Sequence, residues 1–300
     1  MSDQPGELGS TDSAVVAPVS IVLPTIGRPE LLRACLDSLA GCKPSAEEIV
    51  VIDSSDDEAV AGIVADFGPA GARRIHCRTR GIGGAFNLGL REARHEVVLL
   101  TNDDCTVEPD WVERGLRHAS RDAHTLVTGR VRPRGDPSVV PSTIDDPAEH
   151  EYSGRPAFVL YTQSMALHRS VLLEFGGFDE RIQPAAEDND LSYRWLRAGR
   201  RIRYEPDFVV WHHDWRSREQ LARLYVNYGV GQGMVYGKHL RYGDLLVARY
   251  LADAVVAGAR GALARFIRRH PQNHVDPRLG FLRGLPVGFV RGWRLRRDGP

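Results

Sequence analysis

Long apolar runs are missing from this sequence of 300 residues. No uncharged stretch approaches the roughly 18 apolar residues that a membrane-spanning helix requires. Residues 1–17 also lack the basic residues and the sustained apolar stretch of a secretory signal, so we expect them to form a flexible tail. These absences favour a cytoplasmic protein that at most associates with a membrane surface.

Cysteine is scarce, with only four residues, at Cys35, Cys42, Cys77 and Cys105. Their spacing is irregular and includes no CxxC pair, which argues against a disulfide framework and against a zinc site. Buried thiols in a reducing compartment fit this pattern better.

An excess of either charge sign is absent, because 39 basic residues balance 39 acidic residues. Net charge therefore gives no reason to expect a nucleic-acid partner. The distribution is uneven, since residues 241–300 contain twelve arginines and four aspartates, or about eight excess positive charges. This segment either contacts phosphate groups or anionic lipid, or it is a solvated basic helix surface.

The first half of the sequence alternates between apolar runs and helix patterns. Pro29 begins a helix that Gly41 ends, and further helices are indicated over residues 83–94 and from Pro109. Four apolar runs predict buried strands: 19–23, 47–53, 73–77 and 96–101. Near-continuous apolar strands separated by helices indicate an α/β fold with a parallel sheet covered on both faces. Ligands of such sheets bind outside the carboxyl ends of the strands.

The second half begins with a long irregular connection over residues 130–156, which contains five prolines. Connections of this length are usually functional or mobile. Residues 157–169 predict a strand pair or one long strand, and residues 187–198 predict a helix that Gly199 ends. Two strands are predicted to follow, over residues 200–204 and 207–213. The chain after Trp215 is expected to be helical.

Two adjacent carboxylates, Asp103 and Asp104, follow the fourth predicted strand. Such a pair suits a hard divalent cation, because Mg²⁺ is bound by one or two carboxylates together with substrate phosphates. The alternative is that one of them caps the helix predicted to begin at Pro109.

Two further clusters of polar residues have both a structural and a chemical interpretation. Glu187, Asp188 and Asp190 either complement a helix dipole or include a carboxylate whose pKa is raised enough to act as a base. His212 and His213 end an apolar strand and should point to opposite sides of it. At most one of them can therefore face a given cleft, where it would be a further ligand for a manganese-like ion.

A fourth group lies near the first two predicted strand ends and comprises Thr25, Arg28 and Asp53. A carboxylate at that position can accept the imino N–H of a pyrimidine base. The alternative for Asp53 is an Asx turn in front of the polar residues that follow it.

Taken in order, these segments resemble the glycosyltransferases of family 2, which have the GT-A fold. The resemblance covers about residues 19–238, roughly three quarters of the chain. The fifth of its six blocks is the most specific, since it joins a Gly-Gly-Phe-Asp turn, an acidic pair, a helix and a histidine. The blocks are VSIVLPTIGRPELL, EEIVVIDSSD, GIGGAFNLGLREA, LLTNDDCTVEPDW, GGFDERIQPAAEDNDLSYRWLRAGRRIRYEPDFVVWHH and NYGVGQG.

The resemblance implies an architecture and a division of the chain. It implies a mostly parallel sheet flanked by helices, with a helical C-terminal extension. Residues 18–128 would bind the nucleotide sugar, residues 129–215 would form the acceptor-binding and catalytic half of the same domain, and residues 216–300 would be the basic extension. The block NYGVGQG would either close over the site or form a helix-to-loop junction, and the junction is favoured.

For the donor, the resemblance implies contacts to a nucleoside-diphosphate sugar from five residues. Thr25 and Asp53 would hold the nucleoside, with Arg28 beside them. Asn87 lies in the segment expected to line the nucleotide pocket, and Asp103 would lie beside the ribose and the sugar. UDP or dTDP is the expected nucleotide.

For the chemistry, the resemblance implies an inverting, metal-assisted transfer to an acceptor hydroxyl. Asp104 would bind Mn²⁺ or Mg²⁺, and His212 would be an additional contact to the metal or the diphosphate. Asp188 would be the general base, with Glu187 beside it. The acceptor would be a glycan, a lipid-linked molecule or a small molecule, and the basic C-terminal segment could contact a membrane.

Two positions depart from the family pattern. Asn102 stands where the acidic motif often begins with aspartate, and Ile26 with Gly27 replaces the aromatic-Asn pair of the first loop. The first departure affects the ribose contacts, and the second affects base and acceptor specificity. A sugar nucleotidyltransferase and a non-catalytic nucleotide- or glycan-binding protein of the same fold are the alternative interpretations. A dehydrogenase is disfavoured, because the spacing GxGxxG does not follow the first strand.

Overall fold

A computed structural model of the protein describes residues 15–78, 81–268 and 277–296. Within these ranges, nine strands form one sheet in the order β3-β2-β1-β4-β8-β6-β9-β5, with β7 paired to β9. Helices cover both faces of this sheet, as the predicted α/β fold requires. Residues 1–14 of the predicted tail lie outside the described residues, and the tail prediction is wrong for Val16 and Ala17, which begin the first strand.

The amino-terminal half contains four parallel strands, and their helices lie on the two faces of the sheet. The strands are β1 (Val16–Thr25), β2 (Ser45–Asp53), β3 (Ala72–His76) and β4 (Val97–Leu100), and the helices are α1 (Pro29–Ala40), α2 (Glu58–Asp66) and α3 (Gly81–Glu92). Because β1 alternates its side chains, Ile21 and Leu23 belong to the core shared with α1, while Val22 belongs to the core beneath α3. The strand and helix predictions for this half are confirmed, with shifts of a few residues at the ends.

The second half of the sheet is mixed in direction. Its elements are β5 (Cys105–Val107), α4 (Trp111–Ala119), β6 (Thr125–Arg134), β7 (His150–Tyr152), β8 (Met165–His168), α5 (Arg169–Glu174), α6 (Glu187–Arg197) and β9 (Arg201–His213). β6 and β9 run parallel to each other, whereas β8 is antiparallel to β4 and β6, and β5 and β7 are antiparallel to β9. The carboxyl ends of β1, β2, β4 and β9 therefore lie along the same edge.

Three sequence predictions for this half were wrong. The two strands expected over residues 200–213 are one strand, in which residues 206–208 bulge out of register with β6. The strand pair or single long strand expected over residues 157–169 is a non-strand segment, a short 3₁₀ turn and the four-residue β8. The irregular connection begins only after β6 ends at Arg134, so the expected division after residue 128 falls inside a strand.

The acidic pair Asp103–Asp104 does not cap a helix, contrary to the alternative interpretation. The pair precedes β5, which the sequence analysis missed, and the residue at the N-cap of α4 is Asp110.

Three long helices follow the sheet: α7 (Arg218–Arg241), α8 (Leu246–Arg268) and α9 (Pro277–Trp293). The block NYGVGQG lies within α7, so it is neither a closing loop nor a helix-to-loop junction. A capping box begins α7, with the Ser217 side chain accepting from the backbone of Gln220. No helix among the described residues is both long and apolar enough to cross a bilayer.

Glycines allow α7 and α9 to pack backbone against backbone. A Cβ at Gly233 would lie 2.3 Å from the carbonyl oxygen of Leu285, and one at Gly288 would lie 1.9 Å from that of Val230. Gly229 and Gly237 make similar contacts with α9, at intervals of four residues. Isolated helices disfavour glycine, so this contact between helices compensates for its low helix propensity.

Candidate functional site

The candidate site lies at the edge of the sheet where β1, β4 and β9 end. The three-residue strand β5 brings two of these ends together, because Cys105 pairs with His212 and the backbone N–H of His213 donates to the carbonyl of Asp104 at 3.0 Å. The side chains of Asp104 and His212 consequently meet at the floor of the cleft.

Two adjoining cavities open at this edge. The smaller, of about 230 Å³, is lined by Thr25, Arg28 and Asp103. The larger, of about 500 Å³, is lined by Glu187, Asp188 and His212 among others. Four residues line both cavities: Ile82, Asn102, Asp104 and Arg216. The site therefore has two compartments that meet at Asp104.

Asp104 is a buried carboxylate surrounded by cations. Its Oδ2 accepts from Trp215 Nε1 and from Arg216 Nη2, each at 2.9 Å, and lies 3.4 Å from Arg28 Nη1 and from His212 Nε2. Burial alone would raise the pKa of Asp104, but the charges of His212, Arg28 and Arg216 lower it well below its usual range. Asp104 is thus anionic in the folded chain.

Asp103 is held against the first loop. Its Oδ2 accepts from Thr25 Oγ1 at 2.7 Å and from Arg28 Nε at 3.1 Å, and a second Arg28 nitrogen pairs with Oδ1. Burial raises the pKa of Asp103 to about 6, although the charge of Arg28 opposes this rise. Asp103 therefore lies with Thr25 and Arg28, whereas the sequence analysis grouped those two residues with Asp53 and paired Asp103 with Asp104.

The two histidines at the end of β9 face different surroundings. His212 is buried beside Asp104, whereas His213 Nε2 lies 3.1 Å from the hydroxyl of Thr106. The structure therefore places only His212 in the cleft.

The acidic pair Glu187–Asp188 forms the first turn of α6 and faces the larger cavity. The preceding residue, Ala186, has a left-handed backbone with φ of +72°, which is a costly conformation for a side chain that bears a Cβ. Burial raises the pKa of Asp188 to about 6. Burial and the nearby charge of Asp188 raise that of Glu187 to about 8. Both carboxyls thus tend to hold protons more strongly than usual.

Helix α7 packs directly on the segment that bears this acidic pair. A Cβ at Gly231 would lie 2.0 Å from the carbonyl oxygen of Ala185 and 3.1 Å from the Cβ of Ala186. Beside this contact, Asn189 Nδ2 donates to Gln232 Oε1 at 2.7 Å. The position of Asp188 therefore depends on the C-terminal helices as well as on the sheet.

Asp53 lies at the predicted strand end, directly opposite Thr25 in the register of β1 and β2. Its carboxylate is already engaged, since Oδ1 accepts from Ser55 Oγ at 2.6 Å and Oδ2 accepts from Arg74 Nε at 2.8 Å. The contact with the Ser55 backbone is the Asx turn of the alternative interpretation.

Asn87, like Asp53, does not line either of the two compartments. Its Oδ1 accepts from the Phe178 backbone N–H, and its Nδ2 donates to the Phe178 carbonyl and to Glu180, all at 2.9 Å. It lines a different cavity, next to Asp179. Asn87 therefore holds the Gly-Gly-Phe-Asp turn in place and does not line the expected nucleotide pocket.

The sequence analysis missed two residues that contact Asp104, namely Trp215 and Arg216. The guanidinium groups of Arg28 and Arg216 lie over the Trp215 ring, 4.9 and 4.3 Å from its centre. The available signal was their place shortly after the two histidines, beyond Asp214, which does not by itself distinguish them from surface residues.

Asp104 and His212 offer a carboxylate and an imidazole to a divalent cation at the floor of the cleft. The guanidinium of Arg216 lies against both, with Nη2 2.9 Å from Asp104 Oδ2 and Nη1 3.4 Å from His212 Nε2, so a cation could bind between them only after this side chain moves. Two ligands that each lie about 2.1 Å from one ion are roughly 3.0 to 3.4 Å apart, and His212 Nε2 and Asp104 Oδ2 are separated by 3.4 Å. His212 Nδ1 makes no hydrogen bond within the described residues, so no partner at Nδ1 determines whether the imidazole proton lies on Nδ1 or on Nε2. Two protein ligands leave the other positions to water and phosphate oxygens, as Mg²⁺ sites commonly do.

A second cluster of metal-capable side chains lies elsewhere, between α4 and β9. His118 Nε2 is 2.7 Å from Asp207, and its Nδ1 is 3.2 Å from Glu205. One ligand atom from each of His118, Glu205 and Asp207 lies within 4.8 Å of the others, which is close enough to hold an ion, but the two carboxylates are also paired with arginines. Arg121 pairs with Glu205 and Arg114 with Asp207, each at 3.0 Å. The cluster is therefore a network of ion pairs that joins α4 to β9.

Comparison with known proteins identifies the family. The family model described as "Glycosyl transferase family 2" matches residues 20–171, half of the sequence. The chain belongs to glycosyl transferase family 2, and its fold is the GT-A fold.

A curated relative extends the likeness beyond that match. The pre-mycofactocin glycosyltransferase of Mycobacterium tuberculosis is 30% identical over 295 residues, which cover 93% of this chain and 57% of the relative. The chain thus spans a little over half the length of this relative.

Two solved structures are similar in fold. The mannosyltransferase PcManGT from Pyrobaculum calidifontis, in complex with GDP-Man and Mn²⁺, superposes with a TM-score of 0.61 at 17% identity and covers 92% of this chain and 86% of its own. Residues 1–349 of TarS from S. aureus, in complex with UDP-GlcNAc, give a TM-score of 0.55 at 18% identity over 72% of this chain and 66% of that fragment. These likenesses support the fold assignment.

Proposed function

We propose that this protein transfers a sugar from a nucleoside-diphosphate sugar to an acceptor hydroxyl, with inversion at the anomeric carbon. The observation that supports this proposal is that Asp104, Asp188 and His212, which are distant in sequence, line one cavity. The family membership and the nucleotide sugars named in the two similar structures support it independently.

The donor would occupy the smaller compartment. Thr25, Arg28 and Asp103 line this cavity or its rim, and Asp53 lies behind it at the end of β2. UDP or dTDP remains the proposed nucleotide. Asp53 is fully buried and bonded to Ser55 and Arg74, so it would accept the imino N–H of the base only after one of these contacts opens. Thermal melts with UDP, dTDP and GDP test this choice, and a stabilisation by GDP alone would contradict it.

The charge of the diphosphate would be neutralised where the two compartments meet. Asp104 and His212 would hold Mn²⁺ or Mg²⁺, which supplies Lewis-acid stabilisation to the departing diphosphate when bound. Arg28 and Arg216 would donate hydrogen bonds to phosphate oxygens from either side of Trp215.

Asp188 would act as the general base. It faces the larger compartment, where the acceptor hydroxyl would lie, and it would remove the hydroxyl proton as the oxygen attacks the anomeric carbon. Glu187, whose pKa is raised to about 8, would remain protonated near neutral pH and leave a single negative charge at this turn. Asn87 would contribute indirectly by holding the turn that precedes the acidic pair.

Replacing the base tests the proposal most directly. General-base assistance typically contributes about 10² to 10⁴ in rate, so Asp188→Asn should lower kcat by that order and leave donor affinity nearly unchanged. The measurement is diphosphate release from a nucleotide sugar with a panel of hydroxyl acceptors, with donor affinity measured by calorimetry. Asp37→Asn, on the exposed face of α1, is the matched control and should keep full turnover.

Two outcomes would contradict the proposal. Full turnover by Asp188→Asn would remove the base assignment. Consumption of a nucleoside triphosphate with release of pyrophosphate would instead support a sugar nucleotidyltransferase.

We also propose that α9 contacts an anionic membrane surface. Val287, Val290 and Trp293 are 49%, 48% and 42% exposed, and Arg291 and Arg294 are exposed near them. Residues 277–293 contain no acidic residue. Exposed apolar side chains among arginines suit the headgroup region of a bilayer that contains anionic lipid.

A further inference from the structure

The larger compartment continues into an apolar groove between α7, α8 and α9. This groove encloses about 430 Å³ and shares Ser142, Tyr228 and Phe281 with the compartment that contains Asp188. At the shared boundary, the hydroxyls of Ser142 and Tyr228 are 2.9 Å apart. The groove is thus a continuation of the proposed acceptor site and not a separate surface feature.

The walls of the groove are almost entirely uncharged. Tyr225 of α7 packs edge-on against Tyr228, with the two ring centres 6.2 Å apart, and small residues of α8 form the opposite wall. The one charged side chain among the lining residues is that of Arg278. The complete set of lining residues is Ser142, Tyr225, Tyr228, Ala254, Ala257, Gly258, Pro277, Arg278 and Phe281.

Small and aromatic residues together give the groove a shape and a surface that suit an apolar chain. Ala254 and Ala257 leave space in front of α8, while Tyr225 and Phe281 supply flat apolar faces. Gly258 lets the side chain of Leu282 pack against α8, since a Cβ there would lie 2.7 Å from it. Sugars would find few hydrogen-bonding groups there, so a polar glycan gains little by entering it. An alkyl or prenyl chain would instead be removed from water along its length.

We propose that the groove binds the apolar tail of an amphipathic acceptor, whose hydroxyl lies in the larger compartment beside Asp188. This inference rests on the proposed function, since it extends the same acceptor site. It selects one acceptor class, a hydroxyl-bearing head joined to an alkyl or prenyl chain, from those that the fold permits.

The test uses a homologous series of probes on the full chain. Methyl, hexyl and octyl β-D-glucosides are titrated below their micelle concentrations by calorimetry, without donor. Each fully buried methylene adds about 0.8 kcal/mol, so octyl glucoside should bind roughly ten-fold tighter than hexyl glucoside. Methyl glucoside, which has no tail, should bind weakest.

A paired set of variants locates the effect. Ala257→Trp fills the groove and should abolish the gain in affinity from hexyl to octyl glucoside. Ala257→Leu is the smaller substitution to use if the tryptophan disturbs folding, and it should reduce this gain. Ala252→Trp adds the same ring to the exposed face of α8, outside the residues that line the groove, and should keep the gain.

The outcomes separate this inference from the proposed function. Equal affinity for hexyl and octyl glucoside, or an undiminished gain in Ala257→Trp, would overturn the groove assignment. Diphosphate release is measured in a separate assay with a nucleotide sugar. A gain with chain length in a protein that never releases diphosphate would keep the groove and reject the transferase.

Discussion

Asp188 and Asp190 lie two positions apart on α6, yet their electrostatic surroundings are opposite. Asp188 has no cationic partner among the described residues, and burial raises its pKa to about 6. Asp190 pairs with Lys238 at 2.6 Å and with Arg194 at 2.7 Å, and its pKa is held well below the usual range. Ionisation of Asp188 therefore lowers the free energy of unfolding, whereas ionisation of Asp190 raises it.

This contrast predicts opposite effects of two identical substitutions. Between the unfolded pKa of about 4 and the folded value of about 6, folded Asp188 holds a proton that the unfolded chain lacks, so its ionisation destabilises the fold as pH rises. Asp188→Asn should raise Tm by a few degrees at pH 8, with little change at pH 4.

Asp190→Asn should lower Tm at pH 8, because it leaves the buried Lys238 with one carboxylate partner fewer. That contribution is present above the unfolded pKa and fades as pH falls toward the folded one. Calorimetric melts of both variants across this range check the pair of predictions, and a lower Tm for both at pH 8 would refute the assignment for Asp188.

The pH dependence of turnover gives a third residue-scale prediction. If Asp188 is the base, kcat should rise about ten-fold per pH unit below pH 6 and level off above it, because only the ionised carboxylate accepts the proton. Steady-state rates between pH 4.5 and 8.5 measure this profile. A rate that is flat across pH 6 would argue against Asp188 as the base.

Several site residues could be predicted from the sequence, but their partners could not. Asp104, Asp188 and His212 each follow or precede a recognisable element, so the topology of the sheet predicts their approach. Arg74, which donates a hydrogen bond to the Asp53 carboxylate, comes from the neighbouring strand β3, and no spacing in the sequence links the two residues. Asn87 lies in the helix that lines the smaller cavity, as expected, but its own amide pairs with a turn about ninety residues away, and no spacing in the sequence reveals this pairing.

At the scale of elements, strongly periodic segments were predictable and long-range pairings were not. Helix α1 has the predicted bounds because proline begins it and glycine follows it. The strand β5 has three residues, which is too short for any periodicity, and it exists only because β9 pairs with it. The bulge at residues 206–208 contains Pro206, which suggested a break between two strands.

The contact between α7 and α9 predicts contrasting effects of glycine substitutions. Gly288→Ala places a Cβ 1.9 Å from the carbonyl oxygen of Val230, so the helices must separate, and the free energy of unfolding should fall by about 1–3 kcal/mol. Gly62→Ala, inside α2 with no atom within 4 Å, should instead raise it by about 0.5–1 kcal/mol. Urea denaturation measures both changes, and equal effects would contradict the close packing.

At the scale of the whole molecule, the balanced net charge hides a basic surface on α9. Arg291→Glu combined with Arg294→Glu should lower binding to vesicles with 30% phosphatidylserine at least ten-fold, because each basic residue near such a surface contributes about 1 kcal/mol. Sedimentation with these vesicles, and with neutral phosphatidylcholine vesicles, measures the effect. Arg223→Glu, exposed on α7, is the control. Equal loss in the control would show that only total charge matters.

The contact of Gly231 with the Ala185 carbonyl has a consequence for engineering this enzyme family. One helix both borders the groove and seats the turn that precedes Asp188. A chimera that exchanges the C-terminal helices to change the acceptor should therefore also displace Asp188, the proposed base, unless the new helix keeps a glycine at position 231. Under the proposed function, acceptor choice and turnover would both depend on this residue.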